Sequence, residues 1–198
     1  MIASGTLVSS EAIVAATKLW LERAVIGLDL CPFAKAVHVR DQIRYVVSDA
    51  ETAEALLADL TVELQALSEA DPAVVETTLL IHPRVLGDFL EYNDFLGAAN
   101  AAVAGLGLAG EIQIASFHPR YRFAGSGPND IENYTNRSPY PMLHLLREAS
   151  VERAVAAFPD TARIYEKNVA TLRRLGREGW DRLGLTPPAA ARSPRRRR

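Results

Sequence analysis

The sequence of 198 residues is poor in three things, and each shortage narrows what it can be. It holds a single cysteine, Cys31, which excludes an intrachain disulfide framework and, within one copy of the chain, a cysteine-only metal site. No uncharged apolar run approaches the ~18 residues of a membrane span. Residues 1–10 lack the basic start and apolar core of a secretory signal, so no membrane partner and a cytoplasmic location are expected. A net positive charge is lacking outside the end of the chain. The formal net charge is -2, but five arginines (Arg192 and Arg195 to Arg198) lie in the last seven residues, leaving -7 on the first 191. An acidic body argues against nucleic acid as its partner.

What is present has the balance of a soluble globular domain: 48% apolar residues, 23% charged residues and a mean hydropathy of +0.01. No inner linker interrupts the chain. The one change of composition comes at Gly176–Pro188, so residues 1–176 are expected to form one α/β domain and residues 177–198 a loosely ordered, arginine-rich tail. Apolar periodicity predicts a helix from Ser10, with a stripe through Ile13, Ala16, Trp20, Ala24, Val25 and Leu28. A switch to period two over 37–47 predicts a hairpin or strand. A capping box at Ser48–Glu51 then opens a helix with Leu56, Leu57, Leu60, Leu64 and Leu67 on its buried side. Strands are predicted at 77–81 and 112–117 with a helix over 85–104 between them, and helices at 141–149, 150–158 and 160–175. The series implies a small parallel or mixed sheet of three to four strands, built from β-α-β units with extra helices at both ends. In such a sheet, ligands usually bind at the carboxyl edge of the parallel strands.

Two strands end alike, in Leu80-Ile81-His82-Pro83-Arg84 and Ser116-Phe117-His118-Pro119-Arg120. As parallel neighbours they would set two imidazoles and two guanidiniums side by side; the plainer reading has each ring bond a nearby carbonyl. The next stretch, 120–141, is long, polar and rich in Tyr and Arg, and compact domains rarely carry such a loop unless it binds something. Arg84, Arg120, Arg122 and Arg137 can reach the same edge, and their forked donors match carboxylate or phosphate, so a small anionic ligand is expected. Gly125-Ser126-Gly127 could cradle an oxyanion through backbone amides, but the residues of a P-loop are missing and a plain turn is the simpler reading.

A helix after Pro139 would put His144 and Glu148 four residues apart on one face, as a metal-binding pair or as an oriented general base. An ordinary helical pair is the plainer reading. Asn168 falls on the apolar stripe of the last helix and is read either as bonding a buried backbone group or as touching the ligand. Cys31 before Pro32 reads either as a buried thiol or as a reactive one with a pKa lowered by a helix start.

The motifs Gly-Leu-Asp-Leu-Cys-Pro-Phe-Ala-Lys (27–35), Glu-Thr-Thr-Leu-Leu-Ile (76–81), Ala-Ser-Phe-His-Pro-Arg-Tyr-Arg-Phe-Ala-Gly (115–125) and Asn-Tyr-Thr-Asn-Arg-Ser-Pro-Tyr-Pro-Met-Leu-His-Leu-Leu-Arg-Glu (133–148) together resemble the bacterial "domain of unknown function" family numbered 1415. The likeness covers about residues 10–176. It implies a single cytoplasmic domain and directs attention to Cys31, His118, Asn136, Arg137, His144, Arg147 and Glu148 as a set.

Three functions follow as expectations. The first is an enzyme on a small carboxylate or phosphate metabolite: His118, or His144 oriented by Glu148, would move the proton, while Arg84, Arg120, Arg122, Asn136, Arg137 and Arg147 bind the substrate. The second is a zinc or iron enzyme in which His82, His118 and His144 converge with Cys31 or Glu148. No His-x-His or His-Glu-x-x-His supports that metal set. The third is a non-catalytic module that binds a ligand or a protein through the 120–140 loop.

Overall fold

The computed structural model describes residues 8–157 and 161–187. The first helix, α1 (Ser10–Trp20), runs on as a π-helical stretch over Leu21–Ile26 and is capped by Ser9, whose hydroxyl accepts from the Ala12 amide. The expected period-two segment divides. Ala34–Val39 is a short helix, α2, and only Ile43–Val47 is a strand, β1, with Asp41 at positive φ in the turn between them. Thr52 caps α3 (Ala53–Glu69); Ser48 instead accepts from the Ala50 amide and donates to Asp59. Of the predicted leucine stripe, Leu56, Leu60, Leu64 and Leu67 are fully buried.

Strand β2 (Thr77–Ile81), helix α4 (Phe89–Gly105, capped by Asp88) and strand β3 (Ile112–Phe117) follow. After the long loop and its 3-10 turn at Ile131–Asn136 the chain departs from expectation. Met142–Arg147 is a strand, β4, where a helix was predicted. Leu143, Leu145 and Arg147 alternate with Met142, His144 and Leu146, and both sets meet protein. A strand covered on both faces reads as a continuous apolar run, which periodicity alone does not separate from a buried helix. Helix α5 (Glu148–Ala157) and helix α6 (Thr161–Asp181) complete the fold.

The sheet is α/β and mixed, in the order β1-β2-β4-β3. β1 and β2 are parallel, and β4 is antiparallel to both β2 and β3. The two His-Pro strands are therefore not neighbours. They run in the same direction, with β4 between them. Helices α3 and α4 cover one face through Leu60, Leu64, Tyr92 and Ala99 against Leu80, Leu143 and Leu145. α1 and its π extension cover the other, through Trp20, Leu21 and Val25 against Leu79, Ile81 and Met142. Tyr92 ties the layers together: its hydroxyl donates to the Met142 carbonyl at 2.8 Å and accepts from the Phe117 amide at 3.1 Å.

The boundary expected at residue 176 falls inside structured chain. Gly176, at φ 65° and ψ 177°, breaks α6, but helix resumes to Asp181. Trp180, Leu183 and Leu185 pack against the α1 layer. The expected break at Pro159 and the arginines of the tail lie outside the described residues. Among the described residues no helix is long and apolar enough to cross a membrane.

Candidate functional site

The carboxyl edge does gather His82 and His118, on the α4 side, with the Tyr92 ring between them at 5.8 and 5.1 Å. Both are fully buried. The Val85 carbonyl lies 3.1 Å from Nδ1 of His82, and a carbonyl only accepts, so Nδ1 carries the proton there. Its Nε2 is buried without a hydrogen-bond partner among the described residues. In His118, Nε2 donates to the Leu86 carbonyl at 3.2 Å and Nδ1 accepts from the Arg120 amide at 2.9 Å. Both ring nitrogens of His118 are thus committed to backbone, which is the plainer of the two expected roles. Burial lowers the pKa of each of these histidines to about 4.

His144 lies elsewhere. It is opposite Leu79 and Ala115 in the sheet register, and its ring meets Phe117 on the α1 face. Its Nε2 is 2.8 Å from the Thr77 hydroxyl, which already donates its one proton to the Leu145 carbonyl at 2.6 Å. Nε2 of His144 is therefore the donor. Burial holds its pKa at about 4. The helical pairing of His144 with Glu148 is corrected on the same ground. In a strand, four residues span roughly 13 Å, against the one-turn neighbourhood a helix would give, and Glu148 is the first residue of α5. The proposed metal set separates likewise, because His144 is across the sheet from His82 and His118. Among the described residues no group of three or more His, Cys, Asp or Glu is placed to hold a metal.

Cys31 packs with the α1 layer. Burial raises its thiol pKa, an effect larger than the lowering by the amides of Phe33 and Ala34 that bond it. Of the two readings of Cys31, this direction fits the buried thiol. Two of the expected arginines also have other partners. Arg84 pairs with Asp49 at 3.2 Å. Arg147 is buried, and its Nη2 donates to the carbonyls of Leu67 and Ala70, both at 2.6 Å, so it closes the end of α3. Asn136 donates to the Ser116 carbonyl at 3.0 Å, and Asn168 to the Leu30 carbonyl at 2.8 Å.

The remaining arginines do converge. Arg120, Arg122 and Arg137 line a cleft of about 400 Å³ with Asp88, Phe89, Leu90, Pro128, Asn129 and a fourth arginine, Arg177. Each is positioned by a different device. Arg120 donates to the Gly87 carbonyl and lies 3.4 Å from the Asp88 carboxylate. Arg137 donates to the carbonyls of Tyr121 and Pro128, and its guanidinium carbon stands 4.2 Å from the centre of the Tyr134 ring. Arg177 approaches the same ring at 5.5 Å and pairs with Asp181 at 3.3 Å. Arg122 has no hydrogen-bonding or ionic partner among the described residues. Desolvation lowers the pKa of Arg137, and the charge of Arg177 adds to that lowering.

The loop that carries these side chains is organised by buried Asn133, which sequence reasoning passed over. Its Oδ1 accepts from the Phe123 amide and the Ser126 hydroxyl at 3.0 and 2.7 Å, and its Nδ2 donates to the Gly127 carbonyl at 2.7 Å. The Gly127 amide is taken by Asp130, which fits the reading of 125–127 as a turn. Arg177 was missed for a different reason: Gly176 resembled the end of the domain.

A family model described as "Protein of unknown function (DUF1415)" matches residues 12–182, and the chain belongs to that family. The match runs beyond Gly176 and includes Arg177. No curated protein and no solved structure matches the chain.

Proposed function

We propose that this member of the DUF1415 family binds a small anionic ligand, a carboxylate or a phosphate, in the cleft between the first turn of α4, the 120–137 loop and Arg177. The observation that carries the reading is the placement of Arg137. It is part-buried, its guanidinium donates to two backbone carbonyls and lies against Tyr134, it has no carboxylate partner among the described residues, and the Arg177 guanidinium lines the same cleft. Charges withdrawn from water are ordinarily paired, and an anion supplied from solution is the partner that this one lacks. The acidic body favours a small anion over nucleic acid, whose backbone would meet repulsion outside the cleft. A cytoplasmic location is part of the same reading.

The reading assigns binding without histidine proton transfer, because the cleft lining contains no histidine. Its one carboxylate, Asp88, has a pKa lowered first by the Leu90 amide and stays ionised near neutral pH. Thermal denaturation at low salt with inorganic phosphate or malonate tests the proposal. The expected result is a rise in melting temperature, up to ~2.7 kcal/mol of stabilisation at one hundred times the dissociation constant. In Arg122→Ser, which removes an arginine with no other partner among the described residues, the rise should be mostly lost. An equal rise in the variant, or none in the parent protein, overturns the assignment.

A further inference from the structure

We infer that the anion held in this cleft is a small phosphate monoester whose organic part is apolar or aromatic; the inference rests on the anion-binding reading above. Two features of the lining lead to it. The first is charge. Four guanidiniums face one lining carboxylate, Asp88, and Asp181 holds Arg177 from outside the cleft. Two positive charges remain uncompensated. A monocarboxylate answers one of them, whereas a phosphate monoester, at about -1.5 to -2 near neutral pH, answers both with three acceptor oxygens.

The second feature is an apolar shelf beside the arginines. Phe89 and Leu90 open α4, and Pro128 supplies a further apolar surface in the same cleft. The Phe89 ring packs against other rings, with centroids at 5.2 Å to Tyr121, 5.5 Å to His118 and 6.4 Å to Tyr92. A ring packed against three others before the ligand arrives offers apolar surface to the cleft with little further loss of freedom. Leu90 beside it is 61% exposed, so its side chain has surface left to cover. A short dicarboxylate would match the charge but leave this shelf unused. A phosphate attached to an apolar body uses both parts of the lining, and 400 Å³ suits a small molecule.

Isothermal titration calorimetry at low salt, with inorganic phosphate, phenyl phosphate, benzoate and succinate as probes, tests the inference. Phenyl phosphate is expected to bind about tenfold more tightly than inorganic phosphate, the gain from covering roughly 60 Å² of apolar surface. It should also exceed benzoate and succinate. Leu90→Ser, at an exposed position where folding is not at stake, should bring the ratio of phenyl to inorganic phosphate toward one; Phe89→Ala, checked for folding by its melting curve, should do the same. If phosphate and succinate bind but the phenyl group adds nothing, this inference fails while the anion-binding reading stands. Benzoate binding as tightly as phenyl phosphate overturns the dianion assignment. Absence of binding by all four probes overturns both readings.

Discussion

The indole nitrogen of Trp20 donates to the main-chain carbonyl of Arg137 at 2.8 Å, joining α1 to the loop 117 residues further along the chain. The ring also meets Phe117 edge-on at 5.3 Å, so one side chain both fills the α1 layer and fixes the backbone beneath a cleft arginine. Trp20→Phe keeps an aromatic ring but removes the donor. The carbonyl left unsatisfied should cost about 1–3 kcal/mol, a fall of roughly 2–4 °C in melting temperature for each kcal/mol in a chain of this size. Affinity for phosphate should weaken in parallel. A variant with unchanged melting and unchanged affinity would show that this hydrogen bond does not position Arg137.

Arg147 is expected to matter to stability and not to the ligand. Its guanidinium satisfies the carbonyls of Leu67 and Ala70 at the end of α3, remote from the cleft. Arg147→Leu should lower the urea midpoint by the equivalent of about 3 kcal/mol, with anion affinity retained by whatever fraction stays folded. Arg147→Lys should rescue only part of the loss, since an ammonium lacks the planar fork. Loss of binding in a fully folded Arg147 variant would restore the arginine to the site.

Stability should decline in mild acid. His82, His118 and His144 have folded pKa values near 4 because burial disfavours their charged forms, while an unfolded histidine titrates near 6.5. As pH falls, the unfolded chain takes up protons before the folded one. The stabilisation is therefore complete above about pH 6.5 and is lost progressively toward pH 4, by up to about 3 kcal/mol for each histidine. Asp88 and Glu132 have lowered pKa values, so their contribution falls away only at still lower pH. Urea midpoints measured between pH 7 and 4.5 isolate the histidines, and a flat profile there contradicts their buried, neutral state.

Gly176 is expected to resist substitution although nothing crowds the position. Its φ of 65° with ψ of 177° belongs to a region that is essentially confined to glycine. Space for a methyl group exists, so the cost of Gly176→Ala comes from the backbone alone and should be about 1–3 kcal/mol. Because Arg177 follows directly, the variant should also weaken phosphate binding more than the same loss of stability does when introduced in α3. Calorimetry on Gly176→Ala beside a Leu57→Ala control would decide this.

The strands at 77–81 and 112–117 and the leucine stripe of α3 were legible because each has one clear period and strong punctuation. β4 was not, because a strand buried on both faces lacks alternation, and the prolines at 139 and 141 serve a helix start as well as a strand start. The arginines of the loop were legible as a group: three of them, Arg120, Arg122 and Arg137, stand beside aromatic residues in one long polar segment, and the structure brings all three to one cleft. For the two His-Pro histidines the sequence left two readings open. Their partners are carbonyls of Val85 and Leu86, and a main-chain carbonyl leaves no mark in a sequence. His144 was placed in the wrong company by the misread strand, since a change of period from 3.6 to two also changes which residues are neighbours.

The strand made last among the four occupies the middle of the sheet. Before residues 142–147 emerge from the ribosome, β2 lacks its partner on one side and β3 has no partner at all, and such unpaired apolar edges invite association with other chains. The β1–β2 pair can form early, but β3 joins only through β4. Assembly of this protein is therefore a keystone event, completed when β4 slots between two waiting edges, and the nascent chain's exposure to aggregation should end abruptly at that length.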